Sequence, residues 1–476
     1  MNKISLSFLG IGFFLGLAGA SVIDRGVIDG TWSGSIEIMG QKMDFTVYFK
    51  TVGGHIQGTM DVPIQGATGL PLKEILLDGS KISFKLETPQ AVAQFDGVIG
   101  GDKIDGQFEQ QGMAGTFVLT RSGEKAKPEP AKPKEPLPYN EEEVTFQNGN
   151  IKFAGTLMLP KKQGRHPAVI MITGSGPQNR YEELFGWKVF QGIADHFTRN
   201  GIAVLLYDDR GVGGSGGNVF DVTTDDFATD ALAALSYLQS RSDINPRQIG
   251  LCGHSEGGIV APFAASKSNE VAFVICISGT GVTGKDILLK QTELIARANG
   301  EPEEKIRQSV DNIKTIISMI DKGRSEEEIK AKIREIVEIQ IAGMSEEQKK
   351  GIKSLDEFRA GMVDELYKQF GGPWFQFFLK LDPAPILEKV KCPVLLTFGE
   401  LDLQVPAEWS KEAMVNALGR GGNKDFKARI FPKANHLYQE AKTGSPSEYM
   451  SLAKEFVPGF LDFMSGWILE RVDVIK

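Results

Sequence analysis

From Tyr139 to the end of the chain, short apolar runs alternate with stretches whose apolar residues recur at helical spacing. This alternation is the signature of a mostly parallel sheet with helices between its strands. A hairpin opens the region, over 144–147 and 151–159, and further strands are predicted over 167–173, 202–207, 248–253, 271–278, 393–398 and 428–431. One intervening helix carries Phe190, Ile193, Ala194 and Phe197 and stops at Asn200-Gly201; another carries Phe227, Ala231, Leu235 and Leu238.

Between Gly279 and Asp382 the alternation stops. Ile306, Val310, Ile313, Ile317 and Ile320 recur at helical spacing, as do Ile329, Ile333 and Ile336, with Lys and Glu on the other faces. The sequence predicts an all-helical insertion over 282–382. Insertions at strand ends that carry a site commonly act as lids, and this one is expected to do so.

Ahead of that region, residues 27–121 alternate with period two. Met43, Phe45, Val47 and Phe49 share one face, as do Ile82, Phe84 and Leu86, and Gly53-Gly54, Asp78-Gly79 and Gly100-Gly101 supply turns. A small antiparallel β-domain follows, a barrel or a curled sheet, with no acid–base pair or nucleophile of its own. Residues 122–138 carry Pro128, Pro130, Pro133, Pro136 and Pro138 among Lys and Glu, a composition that favours an extended spacer. At the N-terminus, Lys3 precedes an apolar stretch, Phe8 to Ala20, that closes on Ala18-Gly19-Ala20. The stretch is shorter than a spanning helix requires, so residues 1–20 read as a cleaved secretory signal and the protein as secreted or periplasmic, with no membrane span after cleavage.

Charge narrows the partners. The formal net charge is −8, and −9 once the one charge within residues 1–20, Lys3, is removed. An acidic chain without a basic stripe is poorly suited to neutralise phosphates, so nucleic acid is set aside. Cys252, Cys276 and Cys392 each sit in or beside a predicted core strand and read as buried thiols. Zinc-ligand spacings are absent from the sequence, and no metal or cofactor is expected. A phosphate loop fits poorly too: Gly174-x-Gly176 lacks a third glycine and no Walker lysine follows.

The chemistry concentrates at Gly253-His254-Ser255-Glu256-Gly257, a G-x-S-x-G pattern that follows an apolar strand and opens a helix. In that context Ser255 sits on a sharp turn with its hydroxyl raised above the sheet. A serine nucleophile needs a base, and the base an orienting carboxylate. Of the five histidines, His55 lies in the β-domain, His166 opens a strand, His196 is inside a helix and His254 belongs to the turn. His436, in a loop after the last strand, remains. Asp402 is the preferred acid and Glu400 the reserve, both in the loop after strand 393–398. The backbone N–H of Glu256 and one from the loop Gly174-Ser175-Gly176-Pro177, with Ser175 favoured, would form the oxyanion hole. Arg210, in Tyr207-Asp208-Asp209-Arg210-Gly211, is expected to brace loops by ion pairing. In Pro373-Trp374-Phe375-Gln376-Phe377-Phe378, Trp374 and Phe378 are candidates for lining an acyl pocket, the alternative being that they fasten the insertion to the core.

These pieces carry a resemblance. Gly174-Ser175-Gly176-Pro177-Gln178, Tyr207-Asp208-Asp209-Arg210-Gly211, Gly253-His254-Ser255-Glu256-Gly257, Gly399-Glu400-Leu401-Asp402 and Asn435-His436 resemble the α/β-hydrolase superfamily over residues 139–476. The likeness is closest to bacterial two-domain carboxylesterases with a serine-aminopeptidase-like (S33-type) hydrolase domain. The N-terminal β-domain is similar to one found ahead of such domains. Thr173 departs from the pattern, standing where many lipases and esterases have the His of a His-Gly pair. The resemblance implies an α/β-hydrolase fold, an eight-stranded mostly parallel sheet with a helical cap, preceded by the small β-domain. It also implies hydrolysis of a small-molecule carboxylic ester through Ser255, His436 and Asp402. A serine peptidase, an acyltransferase, and an envelope- or carbohydrate-binding protein with a vestigial hydrolase domain are the competing expectations. The peptidase lacks a recognisable acid pair for a free α-amine, and the intact Ser, His and Asp set argues against the binding protein. The partner of the β-domain is not legible.

Overall fold

The computed structural model describes residues 28–38, 41–62, 67–87, 92–110, 113–122, 137–219, 221–344, 346, 349, 352 and 354–475. The signal segment 1–20 and all of the spacer but Ser122, Leu137 and Pro138 lie outside them.

The first region is a closed antiparallel barrel of eight strands. They are β1 (Gly30–Ile38), β2 (Gln41–Val52), β3 (His55–Val62), β4 (Ala67–Asp78), β5 (Lys81–Glu87), β6 (Val92–Gly100), β7 (Lys103–Gln110) and β8 (Met113–Ser122). Each pairs with the next, and β1 closes on β8 with Trp32 opposite Arg121. The β2–β3 turn is two residues long, Gly53 and Gly54 at φ 58° and 81°, the primed geometry that matches strand twist and that only glycine adopts freely. Inward positions hold Trp32, Phe45, Phe84, Phe95 and Phe117, all buried, with Phe84 stacked on Phe95 at 4.8 Å. An eight-stranded barrel is about wide enough for side chains to fill. Its interior is a core.

The second region is an eight-stranded sheet in the order β18-β17-β16-β15-β11-β14-β10-β9. Its strands are β9 (Tyr139–Asn148), β10 (Ile151–Pro160), β11 (His166–Ile172), β14 (Ala203–Tyr207), β15 (Ile244–His254), β16 (Val274–Ile277), β17 (Val394–Gly399) and β18 (Phe426–Phe431). A small hairpin, β12 (Glu183–Leu184) and β13 (Trp187–Lys188), lies outside it. The β9–β10 and β10–β14 pairs are antiparallel; the others are parallel. Period-two alternation sorts the strands onto two faces. Ala168, Ile170 and Ile172 of β11 pack with α2 (Thr224–Gln239) and α3 (Gly257–Lys267), whereas Val169 and Met171 pack with α1 (Val189–Arg199) and the helix Phe460–Leu469. Cys252 and Cys276 are buried free thiols. Cys392, expected in the core, is only half-buried, because it precedes β17, where Asn423 takes its carbonyl.

The sheet order sets the site. The chain runs from β11 to its neighbour β14 on one side, then crosses back to β15 on the other. Loops leaving β11 and β15 therefore diverge at a topological switch point, where open α/β sheets form their crevice.

Between β16 and β17 the chain forms α4 (Gly284–Ala298), α5 (Glu303–Asp321), α6 (Glu326–Ala342) and the helices Leu355–Gly371 and Pro373–Lys380. A reciprocal capping box between Ser325 and Glu328 starts α6. These helices share a core of their own, centred on Ile317, Ile333, Val337, Phe358, Phe370 and Phe375. Among the described residues no helix is long and apolar enough to cross a membrane.

Candidate active site

Ser255 has φ 54°, a left-handed conformation for a residue with a side chain. Such strain persists only where the surroundings over-determine it. Here the surroundings are glycines at van der Waals limits. A Cβ on Gly253 would lie 1.9 Å from the Gly257 carbonyl oxygen, and one on Gly257 2.2 Å from that of Ile172. The flanking glycines thus let α3 start directly against β11 and β15. Ser255 itself is anchored by its N–H to the Ile277 carbonyl at 2.8 Å.

His436 lies in the loop after β18 and is 4% exposed. Its Nδ1 is 2.7 Å from Asp402 Oδ2. The other oxygen of Asp402 accepts the N–H groups of Gln404 at 2.9 Å and Val405 at 2.8 Å. Glu400 faces elsewhere and accepts the Lys433 N–H at 2.8 Å. Asn435 shapes the histidine loop, its Oδ1 accepting from the N–H groups of Leu437 and Gln439. Ser255 and His436 line the same cavity, of about 370 Å³, without a hydrogen bond between their side chains among the described residues. Such bonds often tighten only when substrate is present.

The loop after β11 borders the cavity through Gly174 and Ser175. The Gly174 N–H is engaged, donating to Glu182 Oε1 at 2.8 Å. Among the described residues, the N–H groups of Ser175 and Glu256 have no protein acceptor. Two amides left open beside Ser255 can receive an oxyanion.

The serine aminopeptidase (S33) family matches residues 186–322 and the prolyl oligopeptidase family residues 365–457. The esterase EstD of Thermotoga maritima is 26% identical over 321 residues, 66% of this chain. The chain has the α/β-hydrolase fold, and these matches liken it to that superfamily. The thiohydrolase aneE of Aspergillus aculeatus is 33% identical over 29% of the chain, and the hydrolase YtaP of Bacillus subtilis 29% identical over 31%. The matches span 64%, 41% and 54% of those three relatives, less than two thirds of each. A solved esterase of Pyrococcus furiosus shares 17% identity at a TM-score of 0.41, over 70% of this chain and 92% of that one.

The loop Asp208-Asp209-Arg210 is structural. Arg210 forms a two-pronged pair with buried Asp230, at 2.6 and 2.8 Å. Asp208 pairs with Arg180 at 2.8 Å, and Asp209 accepts from Thr173 Oγ1 at 2.7 Å, so Thr173 ties down the start of the loop after β11. Trp374 and Phe378 both line the cavity and stack on each other, centroids 5.5 Å apart. Trp374 does more than line it, donating its indole N–H to Glu256 Oε1 at 2.8 Å. Thr224 donates to the same oxygen at 2.7 Å. Burial raises the Glu256 carboxyl above its ordinary range, against the hydrogen bonds from Trp374, Thr224 and Ser175. The residue after the nucleophile is thus bonded to the cap. Sequence reading did not find this use of its side chain, nor Glu182; neither residue stands at a spacing that announces a partner 118 or 72 positions away.

Proposed function

We propose that the protein is a serine esterase: Ser255 attacks a carboxylic ester, His436 accepts the serine proton, and Asp402 orients and stabilises the resulting imidazolium. The tetrahedral oxyanion is received by the Ser175 and Glu256 amides. Collapse expels the alcohol, which takes the proton from His436, and leaves an acyl group on Ser255. Water, deprotonated by His436, then releases the carboxylic acid. The observation that carries this reading is the Asp402–His436 pair opening onto the same cavity as the strained Ser255.

Ester is favoured over peptide by the state of the cavity's acids. Recognition of a free α-amine needs an accessible carboxylate, whereas Glu256 and Glu182 are 4% and 1% exposed, with Oε1 bonded to Trp374 and Thr224 in one and to Gly174 and His254 in the other, and Oε2 buried in both. The cavity's remaining walls include Leu184, Ile259, Ile287, Leu288 and Val405, which suit an uncharged apolar acyl group. The Thermotoga relative's designation as an esterase agrees. Purified protein would be assayed on a chain-length series of aryl esters beside aminoacyl anilides. Ester turnover and fluorophosphonate labelling of Ser255 are expected; faster anilide cleavage would overturn the reading in favour of a peptidase.

A further inference from the structure

Three segments meet at a buried carboxylate to which the reaction above assigns no role. Glu182 is 1% exposed and sits at φ 46°. Its Oε1 accepts the Gly174 N–H at 2.8 Å and lies 2.9 Å from His254 Nδ1. The second ring nitrogen of His254, Nε2, is 3.0 Å from the carbonyl oxygen of His436. A carbonyl oxygen has no proton to offer, so Nε2 carries one. A carboxylate at Oε1 leaves Nδ1 to supply the other proton. The ring is then an imidazolium held against Glu182. Burial pulls His254 down, but the charge and hydrogen bond of Glu182 outweigh it and hold the imidazole above its ordinary value.

This arrangement is costly three times over. Two charges are buried, Glu182 holds a left-handed backbone, and its buried Oε2 has no partner among the described residues. What it holds is specific. His254 directly precedes Ser255, Gly174 opens the oxyanion loop, and the His436 carbonyl belongs to the base, whose ring lies 4.7 Å from that of His254. Asp402 fixes the ring of His436 and His254 fixes its backbone.

We infer that Glu182 and His254 are positioning residues, a buried ion pair that locks the nucleophile turn, the oxyanion loop and the backbone of the catalytic histidine into one unit. The inference rests on the esterase reading of Ser255 and His436. Both residues border the cavity but are only 1% and 3% exposed, too little surface to hold substrate, so the pair should act on rate far more than on affinity. A displacement of about 1 Å among reacting groups can cost on the order of a hundredfold.

Glu182→Gln keeps the shape and removes the charge; His254→Asn keeps contact with Glu182 and removes the bond to His436. Each should lower kcat about 10- to 100-fold with KM within about threefold, and the double variant should be no slower than the worse single one. Wild-type kcat in either folded variant, a loss confined to KM, or additive losses would overturn the inference. Nitrogen-15 spectra of the unmodified protein need no variant to fold: both ring nitrogens of His254 should be protonated at neutral pH, and a neutral ring overturns the ion pair. If fluorophosphonate fails to label Ser255 in the wild type, the esterase reading is what fails, and the spectra still decide the pair.

Discussion

The barrel and the main sheet of the second region each have eight described strands, and the two regions differ in what they bury besides apolar side chains. Among the described residues, every buried polar or charged side chain, from Thr156 to Ser465, belongs to the sheet region, while the barrel's buried set is apolar throughout. Strained backbone is unevenly shared too. Among the described residues the barrel has one left-handed residue other than glycine, Glu74, and the sheet region six, of which Glu182, Phe185 and Ser255 line the cavity around Ser255. A desolvated polar group without a partner costs about 1–3 kcal/mol, and a strained residue a similar amount. The barrel carries few such groups. The sheet region keeps them where β11 and β15 diverge, and that concentration marks the site.

The sharpest way to break this contrast is to remove the groups that the sheet region retains. Ser255→Ala should lower kcat by about 10⁴- to 10⁶-fold, since no acyl-enzyme can form, and should leave the fold intact. Folded protein with full ester turnover would refute the assignment outright. Asp402→Asn comes next, at about 10⁴-fold, because the amide leaves the His436 ring in the wrong tautomer, and the two amides now held by Oδ1 keep the side chain in place. A larger loss from Glu400→Gln than from Asp402→Asn would exchange the two roles.

Trp374 sharpens the comparison, because it is both packing and site. Trp374→Phe keeps a ring against Phe378 but removes the hydrogen bond to Glu256. A buried bond of this kind is worth about 1–3 kcal/mol, so kcat/KM should fall roughly tenfold with the acyl-length preference unchanged. Trp374→Ala also enlarges the cavity and should shift the preference towards longer acyl chains, each added methylene contributing up to about 0.8 kcal/mol until the space is filled. Identical profiles for wild type and Trp374→Ala, with a collapsed melting temperature, would make the ring packing alone.

Much of this was legible in the sequence, for reasons that differ by residue. The turn at Ser255 is local, so strand, turn and helix can be read from adjacent residues. His436 emerges because the other histidines sit where no base is needed. Choosing Asp402 over Glu400 is harder, as both occupy one loop and only the fold turns Oδ2 of one toward His436 and the other toward Lys433. Glu182, among Arg180, Tyr181 and Glu183, carries no signal in the sequence, since nearby Gly174 offers it only a backbone N–H and His254 lies 72 positions away. In the first region, alternation marks the strands but cannot choose between a barrel and a curled sheet; closure depends on Trp32 meeting Arg121 across the whole region.

The smallest expected effect on activity lies in the barrel. Phe95 is 1% exposed and contacts the rings of Phe45, Phe84, Phe108 and Phe117. Phe95→Ala removes the centre of that cluster, and a Phe→Ala change in a core costs about 3–5 kcal/mol. The barrel should therefore unfold at lower temperature, visibly so in a thermal scan. Because none of the barrel's described residues lines the cavity around Ser255, kcat/KM measured below that transition should stay within about twofold of wild type, a difference of roughly 0.4 kcal/mol. A large fall in kcat/KM while the barrel is still folded would show that ring packing in the first region is felt at Ser255. The separation between a region that folds and a region that reacts would then have to be abandoned, and the barrel would count as part of the catalytic apparatus.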